Sequence, residues 1–195
     1  MSRQFNTVKN RGDNIVFIPG ELDWDNWGMK GIEEQETYLE ETLEAGAIFM
    51  PKTGCPLQFV DISDDVHLIV FDSQWFLNHW NDHPTINDDC PEIKTREALF
   101  TEIETELKKN QNKTTVFAMH HPLYSNGVHG GKFYLTPFLN PSEKKYPIPV
   151  LGSLAMLFRT SGGTSAQDHQ NKRYRELKNR LETISKKWGN VVFAS

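Results

Sequence analysis

Three histidines lie within ten positions of one another, at His120, His121 and His129, with three glycines among or beside them. The segment follows the apolar run TTVFAM at 114–119, which predicts a buried strand that ends where the histidines begin. Neutral imidazole binds metal ions, and the protonated ring donates a proton near neutral pH. Glycine lets the backbone approach an anionic ligand closely. The pattern therefore indicates either a ligand site at the end of a strand or a loop that is rich in histidine.

A second polar segment follows another predicted strand. Residues 14–20, NIVFIPG, predict a buried strand that ends at a Pro-Gly break, and the acidic and aromatic stretch ELDWDNWG follows it. In open α/β proteins, ligands bind beyond the carboxyl ends of the strands. Two strands that each lead into polar groups therefore favour a site at one edge of a sheet.

The remaining elements alternate along the chain. Further strands are expected at 57–62 and 66–73, as a pair around a turn, and at 190–195. Helices are expected at 32–45, after Thr95 and after Asp168, and an aromatic-rich loop between 74 and 90. This order predicts an α/β sandwich, formed by a single domain over residues 1–195.

Composition narrows the classes of function. The chain is 37% hydrophobic and 24% charged, which is typical of a globular protein. The net charge is −5 and no basic stripe occurs, so a nucleic-acid partner is not expected. No apolar run approaches the length of about 18 residues that a membrane span requires. Nothing in the sequence indicates an oligomeric state.

The two cysteines, Cys55 and Cys90, match neither a disulfide scaffold nor a zinc-finger spacing. Two interpretations remain open for them. They form one bridge in an oxidising compartment, or they are two separate thiols.

The two polar segments together resemble the calcineurin-like metallophosphoesterases, and within them the purple-acid-phosphatase-like branch. In that family a strand is followed by Gly-Asn-His-Asp or Gly-Asn-His-Glu, and here GELD stands in this place at 20–23. Another strand is followed by a metal-binding histidine, and in the mammalian tartrate-resistant type a second histidine comes nine residues later, before a glycine. His120 and His129 match this spacing, and Pro122 and Ser125 match the pattern between them. The order of the elements agrees over most of the chain.

The resemblance implies a fold and a reaction. The fold is a partial four-layer α/β/β/α sandwich of the metallophosphoesterase type. The reaction is the hydrolysis of a small phosphoester substrate at a centre of two metal ions, Fe, Zn or Mn. In such a centre the metal ions clamp the attacking and leaving oxygens of the displacement.

The resemblance also implies roles for individual residues. His120 corresponds to a ligand of the dinuclear centre, and Glu21 stands where the family has a metal-binding Asn. His129 corresponds to the histidine that contacts the phosphate or helps to protonate the leaving group. Asp23 corresponds to the acidic residue that orients the motif's histidine. The pocket wall is assigned to three further residues: His121, Tyr124 and Asn126.

The sequence departs from the family pattern at the GELD segment and at both ends. Leu22 stands where the family has a histidine that meets the phosphate, and losing a positioned acid costs on the order of 10²–10⁴ in rate. The blocks that carry the family's first metal ligands and its closing Gly-His-x-His do not occur, so the chain looks truncated at both ends. A hydrolase with impaired activity is therefore expected, or alternatively a non-catalytic binding domain that retains the fold. For the parent protein we expect a periplasmic or extracellular location.

Overall fold

The computed structural model describes residues 15–25, 28–43, 48–52, 54–125 and 171–195. The chain divides into two compact units. The first, here called the sheet unit, comprises Met1–His121 and Ile184–Ser195, and the second comprises Pro122–Thr183. The organisation as a single domain over 1–195 remains a prediction.

Four strands form one mixed sheet within the described part of the sheet unit, in the order β1-β2-β3-β4. The strands β1 (Leu57–Asp61) and β2 (Val66–Phe71) pair antiparallel around a turn, as predicted. The strands β3 (Thr114–Met119) and β4 (Val191–Ala194) extend the sheet, each parallel to its neighbour. Because β2, β3 and β4 run in the same direction, their carboxyl ends meet at one edge of the sheet. We call this the carboxyl edge.

The segment at 14–20, predicted as a strand, does not form one over the residues that the structure describes. It makes a single parallel bridge between Phe17 and Phe49. The N–H of Phe17 donates to the carbonyl of Ile48 at 2.7 Å, and the N–H of Met50 donates to the carbonyl of Phe17 at 2.9 Å. Pro19 and Pro51 follow the two partners closely, and proline has no N–H to continue a ladder. The prediction of a strand was therefore wrong beyond this one pair.

Two helices follow this bridge segment. The helix α1 (Glu21–Asp25) forms within the acidic and aromatic stretch, and α2 (Met29–Leu43) begins earlier than the predicted helix at 32–45. Gly28 joins them with a φ of 62°, a left-handed conformation that favours glycine. Its N–H donates to the carbonyl of Trp24 at 3.0 Å, so Gly28 ends α1 and permits α2 to start at once.

The predicted loop between 74 and 90 contains helical structure. The helix α3 (Ser73–Leu77) directly follows β2, and a short 3-10 helix follows at Trp80–Asp82. Asp72 caps α3, because its side chain accepts a hydrogen bond from the N–H of Trp75 at 3.1 Å. All five residues of α3 are buried. The loop prediction was wrong here, although the capping aspartate was visible in the sequence.

The helix predicted after Thr95 is confirmed as α4 (Arg96–Lys109). Thr95 is its N-cap and accepts from the N–H of Ala98 at 3.0 Å. One face of α4 is buried in the core of the sheet unit and consists of Leu99, Phe100, Ile103 and Leu107. The spacing of these residues is that of an amphipathic helix with one apolar face.

The last helix, α5, spans Lys172–Trp188 and contributes residues to both units. It carries an apolar stripe at spacings of three and four residues, in which Trp188 is half-buried and four residues are buried: Tyr174, Leu177, Leu181 and Ile184. In the second unit the hydroxyl of Tyr174 donates to the carbonyl of Pro122 at 2.6 Å, and burial raises the pKa of this phenol. Asp168, the predicted N-cap, lies outside the described residues. None of the helices in the described ranges is both long and apolar enough to cross a membrane.

Cys55 and Cys90 form a disulfide, which decides between the two interpretations of the cysteines. The bridge ties the segment before β1 to the segment before α4. Cys90 is fully buried and Cys55 is half-buried. At the neighbouring Gly54, whose φ is 92°, a Cβ would come within 2.3 Å of the Cβ of Asp89, so the two segments pack closely.

Candidate functional site

The carboxyl edge brings together the two segments that the sequence singled out. His120 follows β3 directly, and Gly20 precedes α1. A Cβ added at Gly20 would lie 2.9 Å from Cε1 of His120 and 3.0 Å from its Nδ1. Real Cβ atoms do not approach a ring so closely, so only glycine lets the backbone lie against this imidazole. His120 itself is exposed to solvent at this edge.

Asp23 fixes the conformation of the segment that carries Gly20. Its Oδ2 accepts a hydrogen bond from the N–H of Gly20 at 2.8 Å, three residues back at the start of α1. This is the carboxylate half of a capping box, which satisfies an N–H that the helix leaves without a partner. The resemblance assigned Asp23 to the orientation of a histidine, and with Leu22 in that position the carboxylate instead orders the main chain.

Glu21 and Leu22 lie on the short helix α1, next to Gly20. Glu21 is half-buried, and Leu22 has 73% of its surface exposed. An exposed leucine presents no hydrogen-bond donor or proton to a ligand at this edge. The position that holds a histidine in the family pattern is therefore an exposed apolar side chain here.

Asp72 is a buried carboxyl at the same edge, at the end of β2. Its Oδ1 accepts from the N–H of Trp75 at 3.1 Å and its Oδ2 accepts from Nε1 of Trp24 at 2.9 Å. Burial nevertheless raises the pKa of the Asp72 carboxyl to about 7, against the effect of these hydrogen bonds. The cavity that Asp72 lines has a volume of about 10 Å³, room for about one water molecule. Solvent therefore does little to stabilise the charged form.

His121 is buried, whereas its neighbour His120 is exposed. The Nδ1 of His121 lies 2.7 Å from Oγ of Ser73. The N–H of His121 also donates to the same oxygen at 3.2 Å. The assignment of His121 to a pocket wall stays a prediction, and the contacts observed tie it to the start of α3.

Of the other assigned residues, Tyr124 is the one within the described ranges. Tyr124 is an exposed residue of the second unit, and its hydroxyl donates to Oε1 of Glu182 at 2.7 Å. This hydrogen bond raises the pKa of the Tyr124 phenol. Asn126 and His129 lie outside the described residues, so their assigned roles remain predictions.

The described residues do not fit a dinuclear metal centre. Across the described ranges, one group of three side chains brings potential ligand atoms within 4.8 Å of one another: Cys55, Cys90 and Glu92. Its two sulfurs are joined in the disulfide and are not available as thiolates. His120, Glu21 and Asp23 do not form such a group. The described side chains therefore offer no ligand set for a metal-dependent step.

Sequence reasoning missed Asp72 and Ser73, the buried polar pair at the carboxyl edge. They are the last two residues of VHLIVFDS, and the sequence prediction included both in the strand at 66–73, whereas the strand ends at Phe71. The available signal was positional: a carboxyl and a hydroxyl directly follow a buried strand, as the histidines do after β3.

Comparison of the chain with protein-family models, with curated proteins and with solved structures found no match.

Proposed function

We propose that this protein is a phosphoester hydrolase of the metallophosphoesterase type in which hydrolysis is impaired. The observation that carries the proposal is the close approach of Gly20 to His120. The two segments that resemble the family's motifs lie far apart in the sequence and meet at one edge of the sheet. A phosphoester there would meet the exposed imidazole of His120.

The chemistry available at this edge accounts for the impairment. A bound pair of metal ions would supply an activated water and neutralise charge on the phosphoryl oxygens. The described side chains do not gather a ligand set for such a pair. Leu22 offers no proton for the leaving group, and losing one positioned acid costs on the order of 10²–10⁴ in rate. His120 remains as an exposed group that can hydrogen-bond a phosphoryl oxygen.

The second candidate is a non-catalytic domain that binds phosphoesters on the retained fold. One observation favours it: the Asp23 carboxylate is engaged by the N–H of Gly20, so it serves the main chain. On this account the four-layer sandwich persists for recognition alone. The disulfide supports, for either candidate, a proposed location in the periplasm or outside the cell, because such bonds persist in oxidising compartments.

One experiment separates the two candidates. The purified protein is loaded with Fe, Zn and Mn and desalted, and its metal content is measured by mass spectrometry. Hydrolysis of 4-nitrophenyl phosphate and binding of phenyl phosphate are then measured. The variants are His120→Ala and, as a matched control, His79→Ala, an exposed histidine that precedes the 3-10 helix Trp80–Asp82.

The impaired hydrolase predicts less than one metal ion per chain and slow hydrolysis that His120→Ala abolishes and His79→Ala retains. Hydrolysis that is absent, with phosphoester binding that still depends on His120, favours the binding domain. Close to two metal ions per chain with rapid turnover would show that the impairment is wrong. If neither binding nor hydrolysis depends on His120, both candidates are refuted.

A further inference from the structure

Two consecutive buried residues at the carboxyl edge, Asp72 and Ser73, each contact a different neighbouring segment. They directly follow β2, an interior strand of the sheet. Asp72 is 4% exposed and Ser73 is fully buried. Polar side chains as deeply buried as these are kept only where their hydrogen bonds are satisfied, and the partners of both are known.

Asp72 holds the segment that contains Gly20. Its Oδ2 accepts from Nε1 of Trp24 at 2.9 Å, across a separation of 48 residues. Trp24 is buried and lies on α1, four residues after Gly20. The bond fixes the distance between α1 and the end of β2. It therefore also fixes the position of Gly20, which directly precedes α1.

Ser73 holds the segment that contains His120. Its Oγ makes two hydrogen bonds to His121, one with Nδ1 at 2.7 Å and one with the N–H at 3.2 Å. Both the ring and the main chain of His121 are therefore fixed, whichever way the hydroxyl hydrogen points. The rings of His120 and His121 then meet edge to face, with centroids 5.0 Å apart. The main chain that leaves β3 is therefore fixed at His121, directly after His120, and this fixes where the exposed imidazole of His120 lies.

We propose that Asp72 and Ser73 are positioning residues for the phosphoester edge, because together they hold Gly20 against the imidazole of His120. Asp72 acts through Trp24, and Ser73 acts through His121. Neither touches the ligand itself. The phosphoester ligand in this inference rests on the proposed function. The placement of His120 rests on the geometry alone.

The test compares variants that remove the hydrogen bonds of one positioning residue at a time. Ser73→Ala removes both bonds to His121, Ser73→Thr keeps the hydroxyl, and Trp24→Phe removes the bond to Asp72 while keeping an aromatic ring. Thr115→Val is the matched control, since Thr115 is a buried hydroxyl residue at the opposite end of β3. Two quantities are measured: the imidazole chemical shifts of His120 by NMR, and the affinity for phenyl phosphate.

We expect Ser73→Ala and Trp24→Phe each to shift the His120 resonances and to weaken phenyl phosphate binding about tenfold, the effect of losing one to two hydrogen bonds. Ser73→Thr should retain both properties, and Thr115→Val should leave both unchanged. If Ser73→Ala does not fold, Ser73→Cys replaces it, because a thiol of similar size is only a weak hydrogen-bond partner for His121. Trp24→Phe tests the role of Asp72 in either case.

The two proposals fail in different ways. Unchanged His120 resonances and unchanged affinity in folded Ser73→Ala and Trp24→Phe would refute the positioning role. Wild-type protein that does not bind phenyl phosphate would refute the proposed function instead. In that case the shifts of His120 alone would support or refute the positioning role.

Discussion

The main chain at Gly20 lies against the imidazole of His120, so closely that a Cβ at Gly20 would come within 2.9 Å of Cε1. The two residues belong to different segments that meet only in the folded sheet unit. Asp23 orders the first segment through its bond to the N–H of Gly20, and Ser73 orders the second through His121.

Replacement of Gly20 by alanine should displace the His120 ring with little loss of stability. The new methyl group collides with an exposed side chain that can rotate away, and the backbone at Gly20 does not require a left-handed φ. NMR should show altered His120 resonances, and phenyl phosphate should bind more weakly. Gly189→Ala is the control, because Gly189 has a φ of 63° and no atoms within 4 Å of a new Cβ. Gly189→Ala should lose stability and leave the His120 resonances unchanged. Unchanged His120 resonances in Gly20→Ala, or altered ones in Gly189→Ala, would contradict the packing described.

Stability should fall as the pH rises through the range in which Asp72 ionises. The pKa of the Asp72 carboxyl is about 7 in the fold, against an ordinary value of 3.8. The folded protein thus binds this proton more tightly than the unfolded chain does, and the stabilisation is fully present below pH about 4. Between there and pH about 7 it declines by up to about 1.4 kcal/mol per pH unit. Urea unfolding from pH 4 to 8 measures this decline.

Asp72→Asn supplies the comparison for that slope. The variant cannot ionise at this position, so its free energy of unfolding should lack the decline, although it is lower overall because an amide replaces an acceptor facing Trp24. The same ionisation should alter the environment of the Trp24 indole, with a midpoint near pH 7 in its NMR signal. Parallel pH profiles for wild type and Asp72→Asn would show that Asp72 does not titrate in this range.

The carboxylate of Asp61 should act in the opposite direction at low pH. The Lys113 ammonium, followed by His67, lowers the pKa of Asp61 to about 2. Its stabilising contribution is present above pH about 4 and is lost as the pH falls through about 2. Unfolding measured at pH 5 and at pH 2 should show that Asp61→Asn is less stable than wild type only at the higher pH. Asp64→Asn, in the turn that follows β1, is the control; an equal effect at pH 5 would argue against a specific pairing of Asp61.

Loss of the Cys55–Cys90 disulfide should destabilise the protein substantially. The bond links residues 35 positions apart and so restricts the unfolded chain, an effect of about 3 to 4 kcal/mol. Chemical unfolding of Cys55→Ala/Cys90→Ala should show this loss relative to oxidised wild type. Added reductant should lower the midpoint of wild type and leave the double variant unaffected. A wild-type midpoint that ignores the reductant would contradict the prediction.

The sequence predicts the sheet better than the site. The strands β1, β2 and β3 follow from apolar runs between turn residues, and α4 follows from its spacing and from Thr95 as cap. These signals are local, so sequence alone is sufficient for them. In the structure each of these elements buries apolar residues in the core of the sheet unit.

The errors arise where local signals compete or are short. An apolar run predicted a strand at 14–20, but Pro19 and Pro51 limit the pairing to Phe17 and Phe49. The helix α3 is too short to show a period, and only Asp72 marks its start. The contact of Gly20 with His120 depends on tertiary packing, which no local pattern contains.

The most direct test of the account is an NMR titration of the folded protein with phenyl phosphate, observing His120 and His79 together. The account predicts that the His120 resonances move and saturate while those of His79 remain still, and that His120→Ala abolishes binding without unfolding the protein. Binding of equal strength in His120→Ala, or no binding in wild type, would contradict the claim that the carboxyl edge recognises phosphoesters.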